Sequence, residues 1–180
     1  MNVTRTEIPD VLLIEPKIFG DERGFFLESY NKRMFEKLTG WRGDFVQDNH
    51  SRSRRGVLRG LHYQVEQPQG KLVRVTRGSA FDVAVDMRRS SPTFGRWVGV
   101  LLSEDTCAQL WIPPGFAHGF QVTSESADLM YKATDYYAPA GERCVAWDDP
   151  ELAIPWPLPQ LLLSPKDRAG SRLQDAEAYP

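Results

Sequence analysis

The residues best suited to chemistry concentrate in Gln47–Gln64, which reads QDNHSRSRRGVLRGLHYQ. Two of the chain's three histidines lie here, with Arg52, Arg54, Arg55 and Arg59. His62 closes a strand-like run that begins at Val57. An imidazole titrates near neutrality and suits proton abstraction. A lone strand histidine can equally be a satisfied packing residue. Its neighbours Arg59 and Gln64 weigh against that, because each is costly to bury without a polar partner. Strict strand alternation sets Arg59 and His62 on opposite faces. Sharing one pocket requires a bulge at Gly60, or else Arg59 acts at a rim or a subunit contact.

Four residues elsewhere could join His62. Lys71 lies nine residues on, across the loop Val65–Gly70, and a hairpin would return it beside His62. It is in phase with Val73 and Val75, so it points inward with them or ends the strand in water. Tyr131 reads as a strand tyrosine, packed in the core or at an edge with its hydroxyl satisfied. Asp167 follows Ser164–Pro165 and reads as a helix-capping carboxylate. His118, in PPGFAHGF, reads as a turn anchor or a site residue. A metal centre is the first idea for a histidine site. Only His50, His62 and His118 are available, with no His-x-His pair, so the spacing predicts none.

These residues need a scaffold, and the surrounding pattern predicts an all-β one. Strands are expected at Val11–Phe19 with a break at Pro16, at Phe25–Tyr30, Val57–Gln64, Lys71–Arg77, Ala80–Met87, Trp97–Leu102, Gln109–Ile112 and Leu129–Tyr137, with Gly/Pro turns between. In Ala80–Met87, Phe81, Val83, Val85 and Met87 share one face, Asp82 and Asp86 the other. Asn31 and Gly40 bracket one short helix. Five prolines between Pro150 and Pro165 predict an extended wrap from about residue 139. The 180 residues form one domain, 1–180.

Composition narrows the function classes. A net charge of −2 argues against a nucleic-acid coat, while the local arginine cluster suits a small anionic ligand. There is no apolar run long enough to span a membrane and no signal-like N-terminus. Cys107 and Cys144 are too few for a disulfide framework and read as buried free thiols, which places the chain in the cytoplasm.

The stretches FGDERGFFLESYN, QDNHSRSRRGVLRGLHYQ, QGKLVRV, FDVAVDMRRSSPTFGRW, WIPPGFAHGF, LMYKATDYY, WDDPELAIPWP and LSPKD together resemble the dTDP-4-dehydrorhamnose 3,5-epimerase family. They run in one order over residues 5–170. The resemblance implies a cupin-type jelly roll with a few short peripheral helices, a homodimer, and no metal or redox cofactor. It implies a dTDP-4-keto-6-deoxyhexose substrate, dTDP-4-dehydro-6-deoxy-D-glucose, converted to dTDP-4-dehydro-L-rhamnose. By this matching His62 is the base, Asp167 the carboxylate that orients it, Tyr131 the acid and Lys71 the cation beside O4. Arg23, Glu28, Gln47, Asp48, Asn49, Arg59, Lys71, His118, Glu142 and Lys166 correspond to contacts with sugar and diphosphate. Tyr137 and Phe26 correspond to the residues that stack on thymine. An epimerase acting at only C3 or C5 would use the same acid and base. A non-catalytic sugar-nucleotide binder would be expected to lack the His62, Tyr131 and Lys71 set.

Overall fold

The computed structural model describes residues 1–180. Its strands are β1 (Asn2–Arg5), β2 (Leu12–Glu15), β3 (Ile18–Asp21), β4 (Gly24–Leu27), β5 (Gln47–Arg54), β6 (Leu58–Gln64), β7 (Lys71–Arg77), β8 (Ser79–Asp86), β9 (Trp97–Ser103), β10 (Gln109–Ile112), β11 (Phe116–Val122), β12 (Ser126–Ala133) and β13 (Glu142–Cys144). Two short α-helices are α1 (Lys32–Thr39) and α2 (Pro165–Arg168). The strands form a six-stranded sheet in the order β1-β2-β10-β7-β12-β5, a five-stranded sheet in the order β13-β6-β11-β8-β9, and a separate two-stranded hairpin, β3-β4. All the strand pairings are antiparallel. The two larger sheets face each other as a cupin-type jelly roll: the all-β class is what the strand-and-turn pattern predicts, and the jelly roll is what the family resemblance implies.

The space between the sheets is filled from both walls. Val73, Val75, Leu110 and Leu129 of the larger sheet pack on Ala80, Ala84, Phe116, Phe120 and Val122 of the smaller. Burying each larger aliphatic side chain contributes roughly 1.5–3 kcal/mol. On these same inward faces, Lys71, Asp82, His118 and Tyr131 take positions that packing alone would give to apolar residues.

Each sheet also has a covered back. Phe35 of α1 packs with Leu12, Ile14, Leu72 and Trp111 behind the larger sheet. Asn31 caps α1 by accepting from the Met34 amide, and Gly40 closes it in the left-handed region, both as predicted. Behind the smaller sheet, Val145, Leu152, Ile154, Leu173 and Ala176 cover Leu61, Val83, Val85, Met87 and Ala117. This is the extended wrap that the prolines predict. Polar side chains pin it: Gln121 pairs with both backbone groups of Leu158, and Asp149 accepts from the Glu151, Leu152 and Leu173 amides.

Several expectations are corrected. β5 is a full strand although its sequence, QDNHSRSR, lacks apolar alternation. It is an edge strand whose inner face meets a cavity and whose outer face meets solvent, so neither face needs apolar residues. β12 ends at Ala133, which leaves Tyr137 in a loop. β6 and β7 do not form a hairpin, because the chain passes from one sheet to the other between them. His118 lies inside β11 and not in a turn. Both cysteines are free, and each is half-buried rather than buried.

Candidate active site

Between the sheets lies a cavity of about 410 Å³ into which both Arg59 and His62 open. A β-bulge brings them together. His62 pairs with His118 on β11, but Arg59 pairs with Phe120, so Gly60 and Leu61 stand opposite the single residue Gly119. The extra residue restores Arg59 to the inner face, and Leu61 and Tyr63 turn outward under the wrap. Gly60 has φ of 130°, and a Cβ there would meet the Gly119 Cα at 2.4 Å. Only glycine fits.

His62 Nε2 lies 2.8 Å from Asp167 Oδ1. That carboxylate serves two purposes at once. Its Oδ2 accepts from the Ser164 amide and hydroxyl, closing the capping box of α2. Its Oδ1 accepts from the Gly60 amide at 3.0 Å and faces His62. Burial tends to raise the Asp167 pKa, but the close His62 imidazole and the hydrogen bonds from Ser164 and Gly60 outweigh it and hold the group well below the usual carboxylate range. An ionised carboxylate at Nε2 favours the imidazole tautomer protonated there, leaving Nδ1 with the free lone pair.

The opposite wall belongs to the larger sheet. Tyr131 of β12 and Lys71 of β7 project from it into the same cavity, with Asn49 of β5 beside them. The Lys71 Nζ stands 5.7 Å from the centre of the Tyr131 ring. Burial lowers the Lys71 pKa to about 8, against the opposing pull of Asp82 and Glu142. Burial raises that of Tyr131, aided by Glu142, so the phenol keeps its proton at neutral pH. His118 lies between the walls, its ring 6.4 Å from that of Tyr131. Its Nε2 is 2.9 Å from Asp82 Oδ2, and burial lowers its pKa despite that carboxylate.

At the mouth, Glu142 accepts from the Tyr137 hydroxyl at 2.7 Å and pairs with Lys166. Gln47 accepts from the Tyr137 amide and donates to Asn49. Thus His62, Tyr131, Lys71, Asp167, Asn49, Arg59, His118, Tyr137, Glu142 and Lys166 line one cavity, and Gln47 braces its rim. Four others do not line it. Asp48 pairs with Lys132 on the outer face of the larger sheet. Glu28 accepts from Asn31, and Arg23 pairs with Asp21 at the tip of the β3–β4 hairpin. Phe26, on that hairpin, is 70% exposed.

Sequence reasoning noted Asp82 and Gln64 as polar strand residues but gave neither a role in the site. Asp82 was legible as a polar residue in an apolar strand, but its partner was not. Gln64 donates to the Gln67 and Tyr136 carbonyls and accepts from the Ala138 amide, which sets the loop that carries Tyr137.

Residues 5–175 match the family model described as dTDP-4-dehydrorhamnose 3,5-epimerase. The chain belongs to this family. A dTDP-4-dehydrorhamnose 3,5-epimerase of Pseudomonas aeruginosa is 62% identical over 100% of both chains. The crystal structure of the Legionella pneumophila dTDP-6-deoxy-D-glucose-3,5-epimerase, in complex with dTDP-4-keto-L-rhamnose, is 57% identical. It superposes with a TM-score of 0.96, covering 98% of this chain and 94% of that one. A 3'-monoepimerase of Streptomyces bikiniensis in complex with dTDP-quinovose has a TM-score of 0.88 at 34% identity, covering 94% of this chain and 87% of that one. The epimerase fold is therefore shared by proteins named for one carbon and for two.

Proposed function

We propose that this protein is a dTDP-4-dehydrorhamnose 3,5-epimerase, inverting C3 and C5 of dTDP-4-dehydro-6-deoxy-D-glucose. The observation that carries the reading is the placement of His62, backed by Asp167, on one wall of the cavity and of Tyr131 and Lys71 on the other. Inverting a carbon requires removal of a proton from one face and delivery to the other. The C4 ketone acidifies the hydrogens on C3 and C5, so an enolate is the natural intermediate.

His62 takes the proton through Nδ1, and Asp167 stabilises the imidazolium that forms. Negative charge develops on O4, where the buried Lys71 ammonium meets it. Tyr131 then donates its phenolic proton to the opposite face of the carbon. Bulk solvent restores both groups. The sugar carbon gains and loses one proton, so no net oxidation occurs. Arg59, Asn49, His118 and Lys166 hold the sugar and diphosphate, an arginine fork matching two phosphate oxygens. The exposed Tyr137 ring offers a face to thymine.

The hairpin residues Arg23 and Phe26, with Glu28 just beyond it, complete this set from a second copy of the chain in a homodimer. Phe19, Phe25 and Phe26 on that hairpin are 53–70% exposed, an apolar surface suited to a partner. Two unpaired thiols fit a reducing compartment, and the cytoplasm is the proposed location.

The test is incubation with dTDP-4-dehydro-6-deoxyglucose in D₂O, followed by NMR. Deuterium at both C3 and C5 is expected. Exchange at one carbon would reassign the protein as a monoepimerase, and exchange at neither would remove the epimerase reading.

A further inference from the structure

We infer that His62, Cys144 and Asp167 form an inhibitory binding site for a thiophilic divalent cation such as zinc. The three come from distant parts of the chain, so residue spacing gave no sign of them. β13 pairs with β6 in a register that sets Cys144 beside His62, and α2 brings Asp167 to the same point. Their nitrogen, sulfur and oxygen donors all lie within 4.8 Å of one another. Tetrahedral zinc, with bonds of about 2.0–2.3 Å, sets its ligands roughly 3–4 Å apart. Small side-chain rotations close that difference.

The donor set selects the metal class. One imidazole, one thiol and one carboxylate suit zinc, cadmium or cobalt, whereas magnesium and calcium prefer oxygen. The thiol is only weakly held: it makes a 3.5 Å contact to the Val145 carbonyl and faces the Leu61 amide. Burial, with Asp167 and Glu142 nearby, pushes the Cys144 pKa up to about 12. The Asp167 carboxylate favours a cation there against the opposing charge of Lys166, and a bound metal displaces the thiol proton to solvent. His62 is 27% exposed to the cavity through its other ring atoms while Nε2 itself is buried, so a metal reaches the three donors as the imidazole turns.

Inhibition follows from the imidazole's own valence. A neutral ring has one lone pair and one N–H. A metal on Nε2 takes the lone pair and leaves the proton on Nδ1, the nitrogen that must accept the substrate proton. Binding of the metal does not depend on the epimerase reading, but inhibition rests on His62 being the base.

The experiment uses the intact protein and zinc chloride, with EDTA reversal. Zinc should suppress solvent exchange into the substrate. Cys144→Ser should leave metal-free activity unchanged and raise the inhibitory zinc concentration at least about tenfold. Cys107→Ser should behave as wild type. Cobalt(II) gives a second readout that needs no activity. The wild-type protein should show a thiolate-to-cobalt charge-transfer band, and Cys144→Ser should lack it. If Cys144→Ser proves unstable, zinc protection of the wild-type Cys144 thiol from alkylation replaces it. Equal zinc sensitivity in wild type and Cys144→Ser, absence of the cobalt band, or alkylation unaffected by zinc would each overturn the site. A cobalt band without inhibition would retain the metal site and remove the assignment of His62 as base.

Discussion

Arg59 and His62 open into one cavity although they stand three residues apart on a single strand. The bulge at Gly60 adds the residue that alternation requires, and the glycine's φ of 130° makes that bulge possible. The base and an anion-binding arginine are thus joined by one backbone irregularity.

Gly60→Ala should therefore damage both stability and chemistry. Its Cβ would collide with the Gly119 backbone, which cannot rotate away. A loss of about 2–3 kcal/mol is expected from the clash and the strained φ. Denaturant unfolding measures the first effect. Solvent exchange in the fraction still folded measures the second, and wild-type exchange there would show that the bulge does not position the base.

Asp167→Asn should lower exchange at both carbons by at least about 10²-fold, the scale of a general base's contribution. The amide can still accept from Ser164, so α2 should persist by circular dichroism. The acid limb of stability should also change. The folded Asp167 pKa is depressed, so its contribution is present above the unfolded pKa, near 3.8, and is lost as pH falls through the folded value. Melting temperature against pH should be flatter below pH 4 in the variant.

Tyr131→Phe separates the two halves of the reaction. His62 can still remove a proton and return deuterium to the same face. Exchange should continue while inversion at the carbon is lost, readable by NMR coupling constants. Loss of exchange equal to that in His62→Ala would mean that Tyr131 is not the acid of a stepwise inversion.

The Lys71 pKa of about 8 predicts an alkaline limit on turnover. Below it the ammonium stabilises charge on O4; above it that charge is gone, and kcat should fall. Stability runs the other way. The ordinary lysine value is 10.5, so between about 8 and 10.5 the unfolded chain binds the proton that the folded chain has released. The Lys71 contribution to stability therefore rises with pH across that window. Lys71→Met should remove this alkaline limit from whatever activity remains and raise stability at neutral pH, as tracked by thermal melts.

Mixing two inactive variants tests the proposed dimer. Arg23→Ala and His62→Ala each damage a different part of the site. If the hairpin serves the partner's cavity, mixed dimers contain one intact site and recover part of the activity. No recovery after verified subunit exchange would place Arg23 in its own subunit's site or outside catalysis.

Much of the scaffold was legible because its physics is local. Alternation in Lys71–Arg77, the Asn31 and Gly40 caps and the proline-punctuated tail each act within a few residues, and each appears in the fold. β5 was not legible, because a polar strand facing a cavity and solvent carries no apolar period. The phase of β8 was legible but not its meaning. Its apolar face packs under the wrap, and Asp82 faces inward to His118.

The sequence by itself determined the residue types of the site, the strand-rich class and the family resemblance. It also left Asp167 as either a cap or a catalytic partner. Tertiary structure decided that it is placed for both, because a carboxylate has two oxygens and α2 turns one toward Ser164 and the other toward His62. It also decided that Lys71 meets His62 from the opposite sheet, and that Cys144 stands beside the base. Pairings of this kind depend on strands and helices far apart in the chain, and no local pattern encodes which of them will meet.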